Sequence, residues 1–109
     1  ENISIIWLQA IDEPTLALPV MKPEFVYETY DPVVEDELLK SLGDDIQDDN
    51  IRVYCALTVP QDITKMTINF KAPIIVNADT LKGVQLIADN NDYEVRYPIY
   101  SILEERKGE

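Results

Sequence analysis

From Ile51 to Pro60 apolar and polar positions alternate: Ile51, Val53, Cys55, Leu57 and Val59 share one face, while Arg52, Tyr54, Ala56 and Thr58 share the other. A two-residue period predicts a strand whose first set faces a core. Ile3 to Gln9, short, β-branched and aromatic, predicts another strand, broken by a turn at Ile11-Asp12-Glu13-Pro14. Leu16 to Met21 is a further apolar run, and Pro19 within it lacks a ladder donor, which implies an edge or a bulge. Phe25 to Tyr30 predicts one more strand, closed by Asp31-Pro32. The period becomes helical only from Val34. Val34, Leu38, Leu39 and Leu42 fall on one stripe, with Glu35, Asp36 and Glu37 in the first turns and Gly43 as the stop. Asp44 to Asn50 then reads as a solvated loop, and Asp62 to Lys65 as a loop or a single helical turn.

Thr67-Ile68-Asn69-Phe70-Lys71-Ala72-Pro73-Ile74-Ile75-Val76-Asn77 and Lys82-Gly83-Val84-Gln85-Leu86-Ile87 are two strand-like runs around a turn rich in Asn, Asp and Gly, which predicts a β-hairpin. Gly83 is expected to supply a positive φ for its turn. Pro73 in mid-run marks a bulge or an unpaired edge. Asn69 and Asn77, at strand ends, are residues that commonly bond their own backbone. Asp89 to Asp92 is another turn, Tyr93, Arg96 and Tyr97 form a candidate aromatic–guanidinium cluster, and Ile99 to Arg106 is a short terminal helix or a tail. Together these elements predict a single domain over residues 1–109 that is mainly β: a small antiparallel β-barrel or sandwich with one short α-helix.

Charge alters this picture more than composition does. The 109 residues are 46% hydrophobic, ordinary for one globular domain. Nine basic residues against 21 acidic ones give a net charge of −12, which repels a phosphate backbone and an anionic lipid surface and favours a basic protein partner. Between Glu24 and Asn50 stand ten acids and one base, Lys40, a net −9 in that segment alone. The bland reading of such a belt is a solvated surface that keeps the protein soluble. The functional reading is a docking surface for a cationic partner.

Little in the chain suggests catalysis. There is no His, so His-dependent triads and imidazole metal ligands are excluded. Cys55, alone of its kind, alternates with Val53 and Leu57 and reads as a packed thiol rather than a nucleophile. Three glycines cannot build a phosphate-cradling loop. A calcium loop starting at Asp44 fails, since Asp49 stands where Gly is required and Cys55 where Glu is required. We therefore expect no enzyme activity, no cofactor and no metal. A single Cys and the lack of an opening signal pattern fit a reducing, cytoplasmic setting. No apolar run approaches the length of a membrane span.

The hairpin residues resemble the signature of the flagellar assembly factor FliW family, which runs Thr-x-Asn-Leu-x-Ala-Pro-Ile-(Val/Ile)-x-Asn, a short turn, then Lys-Gly-x-Gln-x-Ile. Trp7 to Leu18, Leu57-Thr58-Val59-Pro60 and Asp92 to Ile99 are similar to further family segments. Phe70, Ile99 and Tyr97 depart from the common residues, and the family's opening strand pair with its Gly-x-Pro-Gly-Phe turn is absent, so N-terminal strands are expected to be missing. The resemblance implies a cytoplasmic regulator, monomeric when intact, that binds flagellin and, when free, binds the RNA-binding repressor CsrA to relieve repression of flagellin translation. On that reading Asn69, Pro73, Ile75 and Asn77 of the hairpin contact flagellin, and Asp44, Asp45, Asp48 and Asp49 contact CsrA. The competing expectation is an acidic β-domain that serves as a structural subunit or small-ligand binder.

Overall fold

The computed structural model describes residues 5–9, 13, 15, 17–42 and 50–107. Among these, seven strands build one open sheet: β1 (Ile6–Gln9), β2 (Ala17–Met21), β3 (Ile51–Thr58), β4 (Thr67–Ile68), β5 (Ile74–Asn77), β6 (Lys82–Gln85) and β7 (Tyr97–Pro98). All the pairings are antiparallel, in the order β1-β2-β3-β4-β7, with β5 joined to β3 and β6 joined to β5. The mainly antiparallel β architecture is as the alternation predicts. The sheet is open, however, rather than closed into a barrel.

The eight residues of β3 are the hub. Residues 51–54 pair with β5, Cys55 and Ala56 with β2, and Leu57 and Thr58 with β4. Its predicted inward set is half-buried at Ile51 and Val53 and buried at Cys55 and Leu57, but Val59 lies past the strand end and is 45% exposed. Pro19 pairs with Trp7 of β1, while the register of β2 with β3 involves only Val20 and Met21. The missing N–H of Pro19 thus sits where β2 has a neighbour on one side, as an edge proline must.

Three expectations are corrected. Residues 25–30 form no strand. Pro23 opens a 3-10 turn over Pro23–Phe25, and the amides of Val26 and Tyr27 both donate to Pro23 O. Pro at the first helical position has the required φ and no N–H to lose. The helix is also shorter than its apolar stripe: α1 covers Asp36–Leu39 and tightens to 3-10 geometry over Lys40–Leu42. Val33 and Val34 stay extended because the Val33 amide donates to Asn90 Oδ1 and its carbonyl accepts from the Asp89 amide. Val34, Leu39 and Leu42 nevertheless reach one core as the stripe predicts; the Leu38 side chain and the Gly43 stop lie outside the described residues. Finally, Gly83 is a strand residue paired with Val76, and the positive φ of this turn falls on Leu81 (62°). A Cβ on Gly83 would meet Val76 Cγ2 at 3.3 Å, so close packing is what Gly relieves there.

Among the described residues two apolar clusters fill the interior. The larger contains Met21, Cys55, Leu57, Met66, Ile68, Phe70, Ala88, Tyr93 and Ile99, with Phe25, Val26, Tyr27, Tyr30, Tyr97 and Leu103 packed against it. The smaller, Leu42, Ile75 and Leu86, receives Val34, Leu39, Ile51, Val53 and Val84. A 3-10 turn at Ile63–Lys65, capped by the Asp62 side chain, and the helix α2 (Tyr100–Lys107) complete the described chain.

Candidate interaction surface

The signature residues lie between and within β4 and β5, and their first task is local. After β4 the Asn69 amide donates to Ala56 O (2.9 Å), and its Oδ1 accepts from the amides of Lys71 (3.0 Å) and Ala72 (3.1 Å). A short amide side chain that satisfies two amides two and three residues ahead turns the chain without a third strand to bond it. Pro73 is fully buried, its carbonyl accepts from the Leu86 amide (3.0 Å), and Gln85 Nε2 donates to Ala72 O (3.1 Å). Ile75 is buried in the smaller cluster. Asn77, 6% exposed, uses both ends: Nδ2 donates to Leu42 O (2.8 Å) and Oδ1 accepts from the Asp79 amide (2.9 Å). It therefore ties the helical segment at Leu42 to the end of β5 and starts the hairpin turn.

Hence Pro73, Ile75 and Asn77 turn inward, and Asn69 is half-buried with its oxygen engaged. The outer surface of this hairpin is carried instead by Leu81, 66% exposed, with Lys82 and Gln85 also exposed. Of the acidic belt, Glu24, Glu28, Asp31, Glu35 and Glu37 are exposed, whereas Asp44, Asp45, Asp48 and Asp49 lie outside the described residues. Other exposed apolar side chains stand on the first hairpin, with Trp7 at 65% and Leu18 at 41%.

An aromatic nest sits beside the signature. Tyr30 stacks on Tyr93 with centroids 4.9 Å apart and planes 24° from parallel, while Tyr27 meets Phe70 edge-on at 5.3 Å. Phe70 also lies 5.2 Å from Tyr97. The ring partners of Tyr93 are thus aromatic, and Arg96 is exposed rather than stacked between Tyr93 and Tyr97. The tips of the stacked pair are engaged: Tyr30 donates to Phe70 O (2.6 Å), and the Tyr93 hydroxyl accepts from the Asp31 amide (2.8 Å). This nest escapes a period-based reading because Tyr27 and Tyr30 enter from a turn. The only signal is the density of aromatics at 25, 27 and 30 after a proline.

Electrostatics give no reactive group here. Burial pushes the Cys55 thiol up to about 12, against a smaller lowering by the neighbouring Tyr30 hydroxyl. Burial likewise raises Tyr30 and Tyr93. A thiol held neutral is a packing group, not a nucleophile. Among the described residues no group of three or more Cys, Asp or Glu is arranged to hold a metal ion. No described helix is long and apolar enough to cross a membrane.

Comparison with known proteins places this geometry in a family. The family profile described as FliW protein matches residues 1–99. The flagellar assembly factor FliW of Lachnospira eligens is 85% identical over 107 residues, spanning 98% of this chain and 71% of that protein. That of Lachnoclostridium phytofermentans is 50% identical over 107 residues, 97% of this chain and 68% of that protein. Among solved structures, the crystal structure of the flagellar assembly factor FliW superposes with a TM-score of 0.77 at 27% identity, covering 88% of this chain and 67% of that one. The chain belongs to the FliW family of flagellar assembly factors.

Proposed function

We propose that this chain acts in flagellum assembly as a non-enzymatic, cytoplasmic regulator that exchanges protein partners: flagellin and, when free of it, the RNA-binding repressor CsrA. The observation that carries the reading is charge. A domain at −12, with ten of its 21 acids and a single base between Glu24 and Asn50 and exposed carboxylates at Glu24, Glu28, Asp31, Glu35 and Glu37, is suited to a partner that must itself be basic to hold RNA. On this reading Asp44, Asp45, Asp48 and Asp49, which belong to the same acidic stretch of sequence, contact CsrA. Flagellin engages the hairpin face. Asn69, Pro73, Ile75 and Asn77 hold that face in shape, and contact runs through its backbone and through exposed neighbours such as Leu81.

The experiment is titration calorimetry with flagellin, with CsrA, and with CsrA after flagellin saturation. Binding to both, with flagellin diminishing the CsrA heat, is the expected result. Binding to neither would leave the family membership standing and remove the switch. Reversing Asp44, Asp45, Asp48 and Asp49 to Lys is expected to weaken CsrA by tenfold or more while flagellin affinity holds, on the scale of about 1.4 kcal/mol per tenfold. If neither affinity changes, those four residues are not the docking surface.

A further inference from the structure

The ribbon of residues 31–35 and the segment 86–90 beside it form a second outward face. Asp31, Val33 and Glu35 are exposed while Pro32 and Val34 are half-buried, the alternation of extended chain. Alongside, Leu86 and Ala88 are buried whereas Ile87 and Asp89 are exposed. The Asp89 amide donates to Val33 O (2.6 Å) and joins the two segments. Asn90 then clamps the ribbon with both ends of its side chain: Oδ1 accepts from the Val33 amide (2.7 Å) and Nδ2 donates to Asp31 O (3.1 Å). The Tyr93 hydroxyl holds the Asp31 amide from the aromatic nest. Val33 at 53% and Ile87 at 63% exposure thus stand on one braced frame with the carboxylates of Asp31, Glu35 and Asp89. Residues 31–35 and 86–92 contain no Lys or Arg. The nearby Lys71 ammonium donates to Asn90 O (2.8 Å).

We propose that this outward face is a preformed docking site for a cationic protein segment that sets an apolar residue between basic ones. Single exposed aliphatics are ordinary, and scattered carboxylates merely solubilise. Here a fixed frame holds the two together, so a partner need not order the ribbon when it binds. Like charges on that frame repel, and a cationic segment converts the repulsion into attraction. The inference deepens the reading of CsrA as the basic partner and rests on it.

The test titrates CsrA, and separately flagellin, into the unsubstituted chain and two variants. One is Val33→Ser with Ile87→Ser; the other is Asp31→Asn, Glu35→Gln and Asp89→Asn. All five side chains are exposed, and thermal melts check that the fold survives. Each variant is expected to bind CsrA about tenfold more weakly or worse, with flagellin affinity unchanged. The amide variant should also show a shallower dependence on salt. Unchanged CsrA affinity in either variant overturns the site, as does a loss confined to flagellin. No heat between CsrA and the unsubstituted chain overturns the partner reading as well, which separates the two failures.

Discussion

Asn77 is the residue whose loss should be felt most for its size. It is buried, donates to Leu42 O across 35 positions of sequence and begins the turn that follows β5. Asn77→Ala leaves the Leu42 carbonyl and the Asp79 amide without these partners, and unfolding in denaturant should show a loss of about 1–3 kcal/mol. Leu81 presents the opposite case. It is 66% exposed yet held at φ 62°, a region that costs a branched residue about 1–2 kcal/mol. Leu81→Asn should therefore raise stability by about 0.5–1 kcal/mol, and a lowered denaturant midpoint would contradict the account. Cys55 sets an alkaline limit. Its folded pKa lies above its unfolded one, so its contribution is fully present below about pH 9 and is lost as pH rises toward about 12. Melting temperatures across that window should fall less steeply in Cys55→Ala than in the unsubstituted chain.

At the scale of elements, the turn after β2 organises the interior more than any predicted strand there could. Pro23 begins it, and Tyr27 and Tyr30 then descend on Phe70 and Tyr93, where ring pairs add about 0.5–1.5 kcal/mol beyond their buried area. Tyr30→Phe preserves the stack but strands the Phe70 carbonyl, for an expected loss of about 1 kcal/mol. The ribbon that follows depends on Asn90 alone for two of its backbone bonds. Asn90→Ala should accelerate hydrogen exchange at the Val33 amide, while the Ala88 amide, bonded to Lys71 O, keeps its protection. Equal rates at Val33 in both proteins would deny Asn90 that role. Much of this level is legible in advance: β3 from its two-residue period, the β5–β6 hairpin from its turn residues, Pro19 from its missing donor. The strand forecast for residues 25–30 fails because local β composition competes with Pro23, and the proline-started turn prevails.

At the scale of the whole molecule, the open sheet leaves β1, β6 and β7 each with one strand partner among the described residues, and the net charge of −12 acts on all of it. Self-repulsion destabilises a compact acidic chain and is screened by salt, so the melting temperature should rise between about 10 and 150 mM NaCl. Over the same range the affinity for a cationic partner should fall. The two opposite trends, read by thermal melts and by calorimetry, distinguish a charge that merely solubilises from one that recruits.

The sequence by itself determined the antiparallel β class, the acidic belt and the inert setting of Cys55, because each follows from near neighbours or from composition, and its signature residues carried the resemblance to the family. A period of two, a proline without a donor and a run of carboxylates need no distant contact to be read. Only the tertiary structure decided what the signature asparagines hold, where the tyrosines meet and which aliphatics stay outside. Asn77 finds Leu42 across 35 residues, Tyr30 finds Phe70 across 40 and Val33 finds Asn90 across 57. Pairings of that range depend on how the whole sheet closes over its core, a global free-energy balance that no local window of sequence contains.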